Sequence, residues 1–511
     1  MKKIIFSILL TSSLFTACFK VDESTDYGYL TPISVTAVSD TINVSIGQTL
    51  SYNGMTVKSD LPVSYEWVYG LQNATGNADN PTFKSKTLIS TTPTIDYTFN
   101  SIGRYLLRCR MDNGESIEYK YFTLNVNSGF DEGVAILSND AEGNAAVSFL
   151  KPLTADDIAS GEQEFYYNIF EGYSIKNGTD MFMSDNAMSI KDKTGASTTV
   201  NYGAFLVATA DEDGTIYQFE PKTTELFTTV KFRTSYNTTV KSFGGEYAAS
   251  GGFANYLLGA DGNCYRYDMQ VANINILTDL QELGRVEHSF GAVNRASATS
   301  ASKQEAWFFN KDSVYVRASS SAGAKFFTMP GYTVVNVASK RTASSSAYIY
   351  ALFVKDREAG ESDTDPLTIK IQSGGSGTWG KASMSTPSTF TVDRLCMDSN
   401  SRIVNTLASN DVYYTFDNAI YRWGLTTAPS SSPAITVPDG ELIRDINVNF
   451  KGKAKGTAGE DLLYVVTYNP SRASAHKGSL YVYDIATQTL VKSFEGVFDD
   501  PVRVIYKYRL N

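Results

Sequence analysis

One hydrophobic rhythm recurs along most of the chain: an apolar strand, a polar turn, and a second strand that opens on a small or aliphatic residue and reaches a tyrosine. It is clearest in "DGTIY" ending at Tyr217, "DGNCY" at Tyr265, "KDSVY" at Tyr315, "DNAIY" at Tyr421 and "KGSLY" at Tyr481. The apolar runs "AFLVATA", "NYLLGA", "EAWFFN", "DVYYTF" and "DLLYVVTY" precede them. Runs of this length, rich in Val, Phe, Tyr and Leu and joined by Asp, Asn and Gly, predict antiparallel hairpins.

The five tyrosines are 48, 50, 106 and 60 residues apart. The long interval is close to two periods, and "YIYALFVKD" followed by "PLTIKI" fills it with a sixth hairpin whose strands are parted by the acidic stretch 356–365. "GVAILSNDAEGNAAVSFL", residues 133–150, supplies a seventh. A period near fifty residues with about four strands per unit predicts a β-propeller. Dividing residues 130–511 by seven gives about 54 residues per blade. "DMFMSDNAMSI" reads as an additional hairpin-like element at the wrong spacing, which leaves eight blades or an inserted element open. "VRVIYKYRL" reads as one strand that completes the blade of the first hairpin and closes the ring. The rival architecture is a series of β-sandwiches.

Upstream the rhythm differs. From Pro32 to Val126 short alternating strands follow one another: "DTINVSIGQTLSY", "VSYEWVYG" with Trp67 at its centre, and "IGRYLLRCRMDNGESIEYKYFTLNV" with a hairpin at Asn113-Gly114. Trp67 and "IGRYLLRCRMDNG" resemble the PKD-like, immunoglobulin-type domain, in which the tryptophan packs between two sheets. That resemblance implies a spacer or contact module held by packing, since Cys109 has no partner cysteine in the half that carries Trp67. The fold class expected is therefore all-β: an Ig/PKD-like β-sandwich over 32–127, then a seven-bladed β-propeller over 130–511. The one helical turn expected is Thr154 to Ser160.

The first residues carry an address. Lys2 and Lys3 precede an apolar run from Ile4 to Phe15, about a dozen residues and too short for a transmembrane helix of roughly 20. Phe15-Thr16-Ala17-Cys18 resembles a bacterial lipobox, which implies a signal peptide over 1–17 and an acylated Cys18 anchored in a membrane. Lys20, Asp22 and Glu23 resemble the Lys-plus-acidic signal for export of lipoproteins to the cell surface in Bacteroidota. Residues 18–31 then form a polar tether.

Composition narrows the chemistry. A net charge of −10 and no basic stripe argue against nucleic acid as a partner. Beyond Cys18 only Cys109, Cys264 and Cys396 remain, too scattered for a disulfide framework or a CxxC metal site. Two histidines, His288 and His476, read as incidental and exclude a multi-histidine zinc site. Most Asp and Glu residues sit where turn chemistry explains them, and no catalytic pair stands out. The five carboxylates of "KDREAGESDTDPL" offer oxygen ligands for a structural calcium but lack EF-hand spacing, and a solvated insertion explains them better; no cofactor is expected.

Aromatic residues are the candidates for binding. Trp379, in the loop "SGGSGTWGK", either stacks on a ligand or partner or folds back to cap a blade. Tyr166, Tyr167 and Tyr173, in "EFYYNIFEGYS" with Phe170, form either a contact loop or a strand with one buried face. Trp67, Trp307 and Trp423 fall in strand-like runs and read as core.

Lipobox, PKD-like domain and repetitive β region together resemble the PKD-like lipoproteins of Bacteroidota. The resemblance implies a non-enzymatic accessory subunit beside a SusC/SusD-type outer-membrane transporter for oligopeptides or glycans, lipid-anchored and facing outward. The competing class is a surface propeller hydrolase that cuts peptides or glycans before import. Replacing Cys18 by Ala is expected to abolish incorporation of a radiolabelled fatty acid; persistent labelling would show that Cys18 is not the acylation site.

Overall fold

The computed structural model describes residues 30–72, 81–127, 129–130, 132–152, 165–191, 197–221, 224–249, 252–268, 271–277, 288–292, 305–318, 325–341, 347–375, 379, 384–405, 411–448 and 462–507. Cys18, Lys20, Asp22, Glu23 and the stretch Thr154 to Ser160 lie outside them. The chain divides into two compact units, Met1–Asn127 and Ser128–Asn511.

In the first unit Thr41–Ser45, Ile117–Asn127, Gly103–Asp112, Ser64–Gly70 and Thr87–Ser90 form, in that spatial order, a five-stranded sheet. Two further strand pairs accompany it, Ser34–Ala37 with Met55–Lys58 and Thr49–Tyr52 with Ile95–Thr98. Trp67 is fully buried, stacks on Phe122 at 5.8 Å, and donates its indole N–H to Thr92 O at 3.1 Å. The long Asp112↔Ile117 hairpin turns on Asn113, whose side-chain oxygen accepts from Glu115 N and Ser116 N. Cys109 faces Trp67 across the sheet and is unpaired and buried, which pushes its thiol up to about 12.

The second unit contains seven four-stranded antiparallel sheets among the described residues. In spatial order the first comprises Asp500–Lys507, Gly133–Asn139, Ala145–Leu150 and Phe165–Tyr166. The second comprises Gly178–Lys191, Ser197–Thr209, Thr215–Phe219 and Leu226–Lys231, and the third Val240–Ala249, Gly252–Gly259, Cys264–Asp268 and Asn273–Ile276. The fourth comprises His288–Ala292, Glu305–Asn310, Ser313–Ala318 and Lys325–Thr328, and the fifth Tyr332–Arg341, Ala347–Lys355, Leu367–Gly375 and Ser388–Val392. The sixth comprises Ile403–Asn405, Val412–Phe416, Ala419–Trp423 and Ile435–Thr436, and the seventh Leu442–Val448, Leu462–Tyr468, Gly478–Asp484 and Leu490–Phe498. Each hairpin expected from the turn-and-strand rhythm supplies the two middle strands of one sheet.

The middle strands are buried on both faces, as the uninterrupted burial of Ala145–Leu150 shows. Core clusters accordingly lie between neighbouring sheets. Leu206, Ile216, Leu257 and Tyr265 pack the second against the third, and Val412, Trp423, Leu352 and Ile369 pack the fifth against the sixth. First strands of successive sheets lie side by side except between the fourth and fifth, where Tyr332–Arg341 lies against Glu305–Asn310 and Ser313–Ala318, and Asp500–Lys507 adjoins the first strands of both the second and the seventh sheets. This radial repetition is that of a β-propeller.

One expectation changes. "DMFMSDNAMSI" is no hairpin: it belongs to one strand, Gly178–Lys191, which pairs without a break from Asp180↔Ala208 to Lys191↔Ser197. Its polar Asp185-Asn186 step resembles a turn in sequence but is carried in extended pairing with Gly203 and Tyr202. The acidic stretch is organised by Arg357, whose guanidinium donates to the carbonyls of Ser362, Asp363 and Asp365. Among the described residues no group of three or more His, Cys, Asp or Glu side chains is placed to hold a metal ion.

Because burial holds Cys109 as the neutral thiol well above pH 8, a thiol reagent added at pH 8 should leave it unmodified in the native protein and modify it after denaturation. Equal rates in both states, read by mass spectrometry, would contradict its placement.

Candidate functional site: a polar belt and the seam beside it

Strand register places one residue per sheet at a shared level. Tyr217, Tyr265, Tyr315, Tyr421 and Tyr481 lie opposite Val207, Leu257, Phe308, Tyr414 and Val465. The residue after each of these in the second strand lies across from Asp180, Ser242, His288, Arg402 and Asp445. Asn336 in the fifth sheet and Arg503 in the first complete a belt of polar residues on or at the start of the first strands. The pairing skips one residue just before Asp180, Ser242, Asn336 and Asp445, and again beside Arg503. A β-bulge at each point re-aims the side chain out of the ordinary alternation.

The belt links neighbouring sheets. Asn336 donates to Asp398 O and Ser401 O, just before Arg402, at 2.9 and 3.0 Å. Arg402 Nε lies 3.7 Å from Asp445 Oδ1. Asp445 Oδ2 accepts the Val504 N–H at 2.9 Å and stands 3.5 Å from Arg503 Nη1. Arg503 Nε is 3.2 Å from Asp180 Oδ1, and Asp180 Oδ2 accepts the Phe243 N–H at 2.7 Å. Charges thus alternate through Arg402, Asp445, Arg503 and Asp180, with polar links running from the fifth sheet round to the third. Asp445 is fully buried and Asp180 nearly so. Burial opposes the charge of Arg503, but Asp445 and Asp180 outweigh it and hold the guanidinium above its ordinary pKa.

The same seam between the seventh and first sheets carries a second cluster. His476 Nδ1 lies 2.9 Å from Asp499 Oδ1, while Tyr167 donates its hydroxyl to Asp499 Oδ2 at 2.7 Å. The two rings pack at 4.6 Å between centroids. Gly478 permits this approach, because a Cβ there would stand 2.2 Å from Asp499 O. Burial, then the hydrogen bond to Asp499, raises the Tyr167 pKa. Nearby, Arg444 forks onto Asp500 at 2.8 and 3.0 Å and lies over Tyr468. Buried Glu441 accepts from Thr467, Asn469 and Arg472, and Arg472 reaches Glu495 at 3.0 Å.

The candidate aromatic residues do not gather in one place. Trp379 is not available to a ligand: it is fully buried between the fourth and fifth sheets, against Phe327, with its indole N–H directed at Val314 O at 3.4 Å. The flexible-looking glycine and serine residues around it gave no sign of a core role. Trp67, Trp307 and Trp423 are core residues as well. Tyr166 is half-buried and receives a hydrogen bond from Lys151, and half-buried Tyr173 accepts the Leu226 N–H at 3.1 Å. Tyr167 alone of the three is exposed, at 46%. From sequence His476 reads as incidental, and Asp445 and Arg503 are not among the residues it singles out. A recurring sign was present for the belt: a polar residue inside an apolar run ahead of each hairpin, as in "TDMFM", "VVNVA" and "IRDINV".

No family model matches the chain, and no curated protein does. Among solved structures it is similar to a quinonprotein alcohol dehydrogenase-like protein from Bacteroides thetaiotaomicron, at 14% identity and a TM-score of 0.41, covering 93% of this chain and 99% of that one. It is also similar to the Cps50 (Swd1) β-propeller domain of Myceliophteria thermophila, at 11% identity and a TM-score of 0.35, covering 63% and 90%.

Replacing Arg503 by Met would leave Asp180 and Asp445 without their shared cation. The expected loss is about 3–5 kcal/mol, the usual cost of breaking a buried pair from one side. A denaturant midpoint unchanged from the parent protein would show that Arg503 does not hold the belt.

Proposed function

We propose that the chain is a cell-surface lipoprotein in which an Ig/PKD-like β-sandwich precedes a seven-bladed β-propeller, and that it serves as a non-enzymatic binding and accessory subunit of a SusC/SusD-type uptake complex for oligopeptides or glycans. The sequence "FTACFKVDE" supports the anchor and the outward address. Seven four-stranded sheets closed by a C-terminal strand support the blade count. Trp67 between aromatic neighbours, and Tyr105 donating back to Ser101 O at 3.1 Å in the manner of a tyrosine corner, support the immunoglobulin-type reading.

The observation that carries a binding role over a catalytic one is how buried Asp180 and Glu441 are used. Asp180 takes the N–H groups of Met181 and Phe243 together with Arg503, and Glu441 takes Thr467, Asn469 and Arg472. Acids committed to fixed donors make a rigid, pre-formed surface and are poor proton shuttles. The hydrolase reading draws on the His476–Asp499 pair, in which a carboxylate orients an imidazole that is 36% exposed.

Affinity purification from detergent-solubilised outer membranes is expected to bring down a TonB-dependent transporter with the full-length protein. Recovery without any transporter would remove the accessory role.

A further inference from the structure

We propose that the belt is a ligand site for a small zwitterion, an amino acid or short peptide, held between Arg402 and Asp445. The proposal deepens the uptake reading and rests on it only in taking a peptide as the molecule.

The belt is not evenly satisfied. At one end Arg503 stands between two carboxylates, and both Asp180 oxygens have N–H donors, although Arg503 Nε itself makes no hydrogen bond among the described residues. At the other end the pairing is incomplete. Asp445 is fully buried, and its Oδ1 has no hydrogen-bond partner among the described residues. Its nearest cation there, Arg402 Nε, is 3.7 Å away, beyond hydrogen-bond range. The Arg402 side chain is 41% exposed, and its guanidinium makes no hydrogen bond to another described residue. A buried carboxylate oxygen in need of a donor thus adjoins an accessible planar fork in need of an acceptor.

One molecule meets both needs if it carries an ammonium and a carboxylate a few ångströms apart. The ammonium donates to Asp445 Oδ1, and the carboxylate draws the Arg402 fork outward and pairs with it. A simple anion would gain Arg402 but face Asp445, and a simple cation would meet the reverse. Alternation of charge along the belt therefore selects against singly charged ligands, which is specificity by repulsion as much as by attraction. Asn336 holds the carbonyls of Asp398 and Ser401 and so fixes the backbone on which Arg402 is carried.

The test is isothermal titration of the full-length protein with L-alanine and L-alanyl-L-alanine, beside the N-acetylated and C-amidated dipeptides. Saturable binding of at least one zwitterion is expected, with either cap weakening dipeptide affinity at least tenfold. Arg402→Gln should weaken binding at least tenfold without moving the thermal midpoint, and Asp445→Asn should weaken it at least tenfold if it folds, with a lowered midpoint because Arg503 loses a buried partner. If Asp445→Asn does not fold, Arg402→Gln decides alone. No binding of either zwitterion, equal binding of capped dipeptides, or unchanged affinity in Arg402→Gln would each overturn the site. A transporter recovered from membranes with no zwitterion binding overturns this site alone, whereas zwitterion binding with no transporter overturns only the uptake reading.

Discussion

Every sheet of the second unit must have a neighbour on each side, and the rest of the structure follows from that constraint. Middle strands such as Ala145–Leu150 are apolar on both faces, so a sheet left at the end of a row would expose one of them to water. Closing the row into a ring removes the exposed ends. The chain closes it by borrowing: Asp500–Lys507 pairs with Gly133–Asn139, so the last strand completes the first sheet. The bond is reinforced by polar contacts on the same strand, where Lys507 donates to Phe130 O, Tyr506 to Glu132, and Arg503 lies between Asp180 and Asp445.

What was legible in the sequence is what depends on neighbours in sequence. The hairpins were readable because turn residues and alternating apolar residues lie within a score of positions of one another. The belt and the seam were not, because they join residues that meet only when the ring closes. Tyr167 and Asp499 are 332 positions apart, and nothing local to either marks the other. Trp379 shows the same limit from the other side: its glycine- and serine-rich setting leaves an exposed and a capping role equally open, and the indole fills a gap between sheets whose residues lie 26 to 72 positions earlier. The Asp185-Asn186 step shows that a polar pair does not make a turn when the opposing strand continues past it. Local chemistry names the strands, and topology decides which polar residues meet.

The recurring bulge connects the repeat to its chemistry. A first strand in regular alternation would send its side chains into the two inter-sheet cores, where an Asp or Arg is costly to bury. Skipping one residue re-aims the side chain, so that acids and bases of adjacent sheets reach one another and the backbone N–H groups of the next strand. The repeat unit thus provides a level on which residue identity is free to vary while the hairpin pattern stays fixed. Ser242, Asn336 and Asp445 occupy equivalent places with different chemistry, and specificity has room to change there without disturbing the cores.

Closure by the last strand also sets an order of events in time. The hairpin 133–150 is made 350 residues before the strand that completes its sheet, and joining ends so distant costs about 5 kcal/mol of chain entropy on a (3/2)RT ln n estimate. Until Asp500–Lys507 is made, the Gly133–Asn139 edge stays open, and Asp180 and Asp445 have no arginine between them. The ring is therefore assembled late and at a single joint, and a chain cut short near its end would carry an unpaired strand edge of the kind that recruits other chains.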